Sequence, residues 1–363
     1  MSDWSVALRD AGLIVKGIYD YNVADRFGAL AAHEWMFPVT YRCNARCVMC
    51  NIWQGDHLGE LSTAQWEPVL EDRLFRGVQS VSLTGGEPTL RDDLPQLAQL
   101  LAERLPALRR VTITTNALAT PRVVDHCAQI ARLCRERGIG LFVGISLDGV
   151  GSVHDEMRGI PRAFDRVNAT IAELRKLESG GLRLGANCTL TRRNLHDAGN
   201  ILRWCADQGL PANVIVASFA ESYYGNVQLE GNLSFTDEQR PQVVALLRRL
   251  SSRRSLGNPA AYFYADAARM LEQGAPRSTP CVFQKDAFIL DARGEMQYCM
   301  FSRVLGNVRE RRASDLYFAP ENLAHRREIV TRDCRNCTIT CFLELGLAKD
   351  AFRFLRFLTG SAE

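Results

Sequence analysis

Cys43-Asn44-Ala45-Arg46-Cys47-Val48-Met49-Cys50 is the stretch whose reading decides the fold. Just before it stands an apolar run, Met36-Phe37-Pro38-Val39-Thr40-Tyr41, that reads as a buried strand. The three thiols therefore lie on a loop that leaves a strand. In C-x3-C-x2-C spacing they can converge on one metal cluster without completing it. A cubane cluster has four irons, so three cysteines leave one iron open to an exogenous ligand. Half a zinc site is the alternative for the spacing taken alone, and zinc wants a fourth ligand within the local fold.

Outward from this loop, strands and helices alternate. Apolar, β-branched runs at 78–83, 111–115, 141–147, 184–190 and 213–217 read as strands. Helical periodicity fills 63–75, 94–105, 121–137, 162–177 and 195–208 between them. Such βα units imply a parallel sheet, and six strands suit a partial (β/α)6 barrel of the α/β class. Right-handed connections place the loops after the strands on one face, the cysteine loop among them. A helix over 235–253, with Pro241 in its first turns, closes this part. A short helix over 262–273 follows. Residues 287–299 read as a β-hairpin around Asp291-Ala292-Arg293-Gly294, with a helix over 320–329 beyond. The expected divisions are a helical segment over 1–35, the barrel over 36–254, a small module over 255–345 and an amphipathic tail over 346–363 that docks on the protein.

Composition narrows the function classes. The chain has 363 residues, 47% hydrophobic and 23% charged, as an ordinary globular protein does. A net charge of +3 points to neither nucleic acid nor an acidic membrane. No window has the ~18 uninterrupted apolar residues of a transmembrane segment, and Met1-Ser2-Asp3-Trp4-Ser5 lacks the basic start of a signal peptide. A cytoplasmic location is the default. There are twelve cysteines. Cys127, Cys134, Cys188 and Cys205 fall in apolar-periodic segments and read as small buried hydrophobes. The others form two groups, Cys43, Cys47 and Cys50, and Cys281, Cys299, Cys334, Cys337 and Cys341. In a reducing compartment, clustered cysteines bind metal more often than they form bridges.

The first trio resembles the signature of the radical SAM superfamily, whose open iron chelates S-adenosylmethionine. Thr84-Gly85-Gly86-Glu87-Pro88, after the second strand, is similar to that family's GGE motif. The resemblance implies that Gly85 and Gly86 let the backbone approach the cofactor's methionine moiety and that Glu87 pairs with its ammonium. By the same resemblance Asn116 ends the third strand, and Ser146 and Asp148 end the fourth, facing ribose hydroxyls. Arg158 then lies near the cofactor carboxylate and Asn194 borders the adenosine. His154 reads as a hydrogen-bonded structural residue rather than a base.

The second cysteine group resembles the SPASM extension in its shortened form, called twitch. That likeness implies one auxiliary 4Fe-4S cluster on Cys281, Cys299, Cys334 and Cys337, with Cys341 a possible substitute. A structural zinc on Cys334-x2-Cys337 is the alternative. The implied chemistry is reductive cleavage of S-adenosylmethionine to a 5′-deoxyadenosyl radical that takes hydrogen from the substrate. A flavodoxin or ferredoxin-type protein is the expected electron donor, and a fully ligated second cluster suits an electron acceptor. The expected reaction is oxidation of a small-molecule substrate, such as a sugar or aminocyclitol. Glu221, Tyr223 and Tyr224, after the sixth strand, are the candidates for proton transfer or substrate contact. A redox-neutral epimerase, dehydratase or decarboxylase would use the same core, as would a maturase of a ribosomal peptide served by a separate leader-binding protein. An iron–sulfur carrier or sensor would not need the GGE motif.

Overall fold

Strand β1, Glu34–Thr40, is buried along its whole length, because neighbours cover both of its faces. In the computed structural model, which describes residues 17–255, 258–339 and 351–360, it is the strand from which the sheet extends to both sides. On one side β2 (Ser80–Gly85), β3 (Arg110–Thr115), β4 (Gly140–Ser146), β5 (Leu182–Leu190) and β6 (Ala212–Val216) follow in order, all parallel. On the other side β7 (Ala287–Leu290) pairs parallel with β1. It continues antiparallel into β8 (Glu295–Gln297) and β9 (Gly306–Asn307). The nine strands form one open sheet in the order β6-β5-β4-β3-β2-β1-β7-β8-β9. Strands β1–β6, six of its seven parallel strands, are the expected partial barrel.

Proline is rare inside a central strand because it cannot donate to the ladder. Pro38 is tolerated in β1 because the register to β2 shifts between Pro38 and Thr40. Its carbonyl still accepts from Ala292 N at 2.7 Å. Aromatic rings fill the space under β1. Trp35 stacks on Phe37 at 4.3 Å, and Phe37 meets the edge of Trp66 at 4.8 Å. Both β1 rings are fully buried.

The chain divides into two units. One holds Ala32–Phe235 and Ala287–Arg326, which comprise the sheet, its helices and the hairpin. The other takes the residues before Ala32, Thr236–Asp286 and those from Arg327 on. The expected boundary at 254/255 and a single module over 255–345 therefore differ from the structure. Pairing of β7 with β1 draws the hairpin into the sheet unit. In the second unit, Tyr262 on the helix Ala260–Gln273 packs its ring 5.2 Å from Phe357 of the helix Ala351–Leu358. The described part of the expected tail helix is thus anchored within its own unit. The expected helix over 63–75 breaks in two. Thr63–Val69 ends at Leu70, and the Asp72 side chain accepts from Leu74 N at 2.8 Å to start a 3-10 turn, Arg73–Gly77.

Candidate iron–sulfur and S-adenosylmethionine site

The loop carrying Cys43, Cys47 and Cys50 is tied down by three neighbouring segments at the C-terminal ends of the strands. The first tie is the end of β2. Gly86 N donates to Thr40 O and Glu87 N to Arg42 O, both at 2.8 Å. A Cβ on Gly85 would stand 2.2 Å from Thr40 O, and one on Gly86 would stand 2.2 Å from Arg42 O. The two glycines are therefore required by the close approach of the chain's own first strand and its exit.

The second tie is the short helix Ser152–Arg158, which the periodicity did not reveal. Arg46 N donates to Arg158 O at 2.9 Å and Val48 N to Met157 O at 3.0 Å. Gly159 ends that helix at φ 62°, and a Cβ there would meet Arg46 O at 2.3 Å. The third tie is the exit loop of β6. Asn51 N donates to Tyr224 O at 3.0 Å, and Asn51 Nδ2 to Gly225 O at 3.0 Å. Asn226 Nδ2 reaches Met49 O at 2.9 Å and Ser218 O at 3.1 Å, while its Oδ1 accepts from Ala220 N at 2.9 Å. Met49, Met157 and Leu233 seal the loop from below, packed against Cys47, Val48, Val153, Phe219 and Leu229.

Asn226 was not among the expected site residues, and nothing in its local pattern marks it. Its substitution by alanine strands three backbone groups, each worth about 1–3 kcal/mol when buried and unpaired. Asn226→Ala is expected to unfold at lower denaturant and to surrender iron faster to a chelator. An unchanged chelation rate would show that the third tie does not restrain the cysteine loop.

The thiols themselves sit among N–H donors. Arg158 Nη1 lies 3.4 Å from Cys47 Sγ, and Asn116 Nδ2 lies 3.8 Å from Cys43 Sγ. Burial pushes the Cys43 thiol up to about 11 and the Cys50 thiol up to about 12; backbone N–H groups of Ala45 and Ile52 and the Arg158 charge act in the opposite sense. Cys47 and Cys43 each raise their partners' values, so the three thiols are within electrostatic reach of one another. Among the described residues no three His, Cys, Asp or Glu side chains converge on a single metal ion. A soft, thiol-only donor set with convergent N–H groups fits an iron–sulfur cluster. Arg158 adds a buried Nε with no hydrogen-bond partner among the described residues, which suits a ligand carboxylate beside the thiols.

The other expected residues divide by what they already hold. Glu87 is fully buried, and its carboxylate accepts from Thr89 N (3.2 Å), Thr89 Oγ1 (2.7 Å), Thr115 Oγ1 (2.8 Å) and Asn116 N (2.7 Å). The carboxylate expected to pair with the ammonium is thus held in place by its own chain and in turn positions Asn116. Burial pushes this carboxyl up, against those hydrogen bonds. Asp148 is also fully buried, pairing Oδ2 with Arg158 Nη2 at 2.6 Å and accepting from Thr189 N at 2.7 Å. It braces Arg158.

The Asn194 amide donates to Asp148 O and Thr189 O and accepts from Thr191 N and Thr191 Oγ1, so it locks the β5 exit. Ser146 is half-buried at the end of β4. His154 Nδ1 accepts from Asp148 N at 3.1 Å, and burial, then the Arg158 charge, lowers it to about 3. It is a neutral structural residue, as expected.

The β6 exit loop splits the three catalytic candidates. Tyr223 holds φ at 64°, a left-handed conformation that costs a non-glycine residue roughly 1–2 kcal/mol. Its hydroxyl lies 3.1 Å from Thr84 Oγ1 and 3.4 Å from Gly85 O, and its ring meets Tyr224 at 4.8 Å. Tyr223 is therefore at the glycine motif. Glu221 is exposed on the same loop, which gives a catalytic base there no burial to work with.

In the second unit Cys281, Cys334 and Cys337 are half-buried and unbridged. Cys299 is half-buried too and belongs to the sheet unit. Cys341 lies outside the described residues. Within those residues no helix is long and apolar enough to cross a membrane.

Comparison with known proteins places this geometry. Over 233 residues the chain is 29% identical to a Methanosarcina barkeri protein named Fe-coproporphyrin III synthase, covering 64% of this chain and 55% of the relative. It is 27% identical over 309 residues to an Oleidesulfovibrio alaskensis protein named AdoMet-dependent heme synthase, covering 80% and 75%. The chain thus spans about half the length of the first of these. Streptococcus suis SuiB, solved bound to S-adenosylmethionine, shares the fold with a TM-score of 0.60 at 17% identity, covering 91% of this chain and 74% of its own. Residues 37–205, from β1 to the helix after β5, match the Radical SAM superfamily, so this stretch of the chain carries a radical SAM domain.

Proposed function

We propose that this protein is a radical SAM oxidoreductase with a second, C-terminal iron–sulfur cluster of the SPASM/twitch kind. The observation that carries the reading is the thiol trio enclosed by Arg158, Asn116 and the glycine motif, in a chain that gathers Cys281, Cys334 and Cys337 in its other unit. When bound, S-adenosylmethionine and the N-terminal cluster supply a hydrogen-abstracting radical, and a second cluster supplies an electron acceptor, so the net reaction is an oxidation. The chain's own residues orient and enclose. Arg158 offers its unpartnered Nε to a carboxylate, Asn116 and Arg158 donate toward the thiols, and Met49, Met157 and Leu233 keep water from the loop. Tyr223 presents its hydroxyl beside Gly85 O and is the residue proposed to contact cofactor or substrate. A flavodoxin or ferredoxin-type protein is the proposed donor.

For the substrate, the sequence favours a small polar metabolite such as a sugar or aminocyclitol. A second reading, a tetrapyrrole, is favoured by the relatives named for coproporphyrin and heme, one aligned over 80% of this chain. Anaerobically reconstituted protein, given dithionite and S-adenosylmethionine, is expected to release 5′-deoxyadenosine. A panel of aminocyclitols, sugars, iron-coproporphyrin and peptides then reports the class by enhanced release. A product short of one hydrogen pair, or of carbon dioxide after electron loss, marks oxidation. An isomeric product would replace it with a redox-neutral reaction, and no 5′-deoxyadenosine with any class would remove the enzyme reading.

A further inference from the structure

Beside the C-terminal thiols lies a cation that no expected function uses. Arg277 precedes Cys281 on a segment clamped by Asp266, whose Oδ2 accepts from Ser278 N and Thr279 N at 2.8 Å each. Its backbone N donates to Arg335 O at 2.7 Å, between Cys334 and Cys337. The guanidinium then spreads over both cysteine segments. Nη1 donates to Ile339 O at 2.9 Å and Cys337 O at 3.2 Å and lies 3.8 Å from Cys337 Sγ. Nε reaches Thr279 O and Oγ1 at 3.0 and 3.1 Å, and Nη2 reaches Pro280 O at 3.3 Å. The Phe263 ring lies 5.6 Å from its carbon centre, a cation–π contact.

The partners of this cation are carbonyls, a hydroxyl, a ring and a thiol. Among the described residues no carboxylate pairs with it, and the nearby Asp266 is matched by Arg269 at 2.6 Å. Among the described residues the positive charge therefore has no carboxylate partner, and it faces sulfur. Burial pushes the Cys334 thiol up to about 11 and raises Cys337 as well, while Arg277 draws both back.

We propose that Arg277 biases the C-terminal cysteine site toward accepting an electron, by holding a guanidinium and an N–H donor against Cys337. This rests on the second-cluster reading given above. Reduction adds negative charge to a cluster, and a fixed cation with an N–H directed at a ligating sulfur stabilises the reduced form more than the oxidised one. A raised potential is what an acceptor of the substrate's electron requires. Lysine keeps the charge but not the planar fork, so it recovers part of the effect.

The test uses the full chain carrying Cys43→Ala, Cys47→Ala and Cys50→Ala, reconstituted anaerobically, so that only the C-terminal site holds iron. Midpoint potentials are read from the reduced-cluster spin signal in this host and with Arg277→Lys or Arg277→Gln added. The expected order is host highest, lysine intermediate and glutamine lowest, at equal iron content. Equal midpoints in the three loaded proteins would overturn the proposal. Should the glutamine variant fail to hold iron, the host and the lysine variant decide, and equality there overturns it as well. A host that binds no iron would overturn the second-cluster reading itself, an outcome that iron counting separates from equal midpoints.

Discussion

Gly86→Ala is expected to empty the N-terminal cysteine site and to abolish 5′-deoxyadenosine release. The added Cβ would stand 2.2 Å from Arg42 O, 2.7 Å from Arg42 C and 2.9 Å from Tyr41 O, all backbone atoms. No flexible side-chain end can yield, so the β1 exit must move, and Arg42 adjoins Cys43. The flanking hydrogen bonds, Gly86 N to Thr40 O and Glu87 N to Arg42 O, oppose that movement. Overpacking of this kind costs about 1–3 kcal/mol of stability. The effect on iron is larger, because a cluster needs all three thiols placed at once. Gly140→Ala is the matched control, since its Cβ would meet nothing closer than Arg109 O at 3.6 Å. Iron per chain, compared in the two variants after anaerobic reconstitution, checks the expectation. A Gly86→Ala protein with the parent's iron content would mean that the close approach does not set the cysteine loop.

The same position shows what a sequence can and cannot tell. Short apolar runs separated by helical periodicity predict the parallel strands because burial on both faces of a sheet leaves a local mark, as in the fully buried β1. The glycine motif was legible as a pair of residues without side chains. Its use was not, because Thr40 and Arg42 come under it only through the β1–β2 register. Glu87, Asp148 and Asn194 were legible as polar residues at strand ends. Whether each points at a ligand or at its own chain depends in part on distant partners, Thr115 at 28 residues for Glu87, Thr189 at 41 for Asp148 and Asp148 O at 46 for Asn194. Asn226 left no trace, since its partner Met49 is 177 residues away. The hairpin was visible from its turn residues, but its edge-on pairing with β1 rests on a contact that no local pattern encodes.

Arg158→Met is expected to destabilise the protein by about 3–5 kcal/mol, the cost of leaving a buried carboxylate without its partner. Asp148 has 1% of its side chain exposed and Arg158 9%, and their 2.6 Å contact is far from bulk water. Burial works against the Arg158 cation, yet Asp148 and the Cys47 and Cys43 thiols hold it protonated. Burial likewise pushes the Asp148 carboxyl up, and Arg158 pulls it back down. With Arg158 gone only the Thr189 N–H opposes the upward push. A carboxyl whose folded value lies above its unfolded value makes the folded state bind more protons, so stability falls as pH rises between the two values. The Arg158→Met deficit is therefore largest at alkaline pH and shrinks as pH falls toward the unfolded carboxyl range. Asp148→Asn added to Arg158→Met removes the unpaired charge while its side-chain oxygen still accepts from Thr189 N, so the double variant recovers most of the loss. Denaturant midpoints of the iron-free single and double variants across this pH range check the sign. A deficit independent of pH, or a double variant no more stable than Arg158→Met, would show that the pair is not coupled as drawn. Iron loading separates the two tasks of the guanidinium: the double variant restores the fold but not the donor to Cys47, so it is expected to stay poor in iron where its stability has returned.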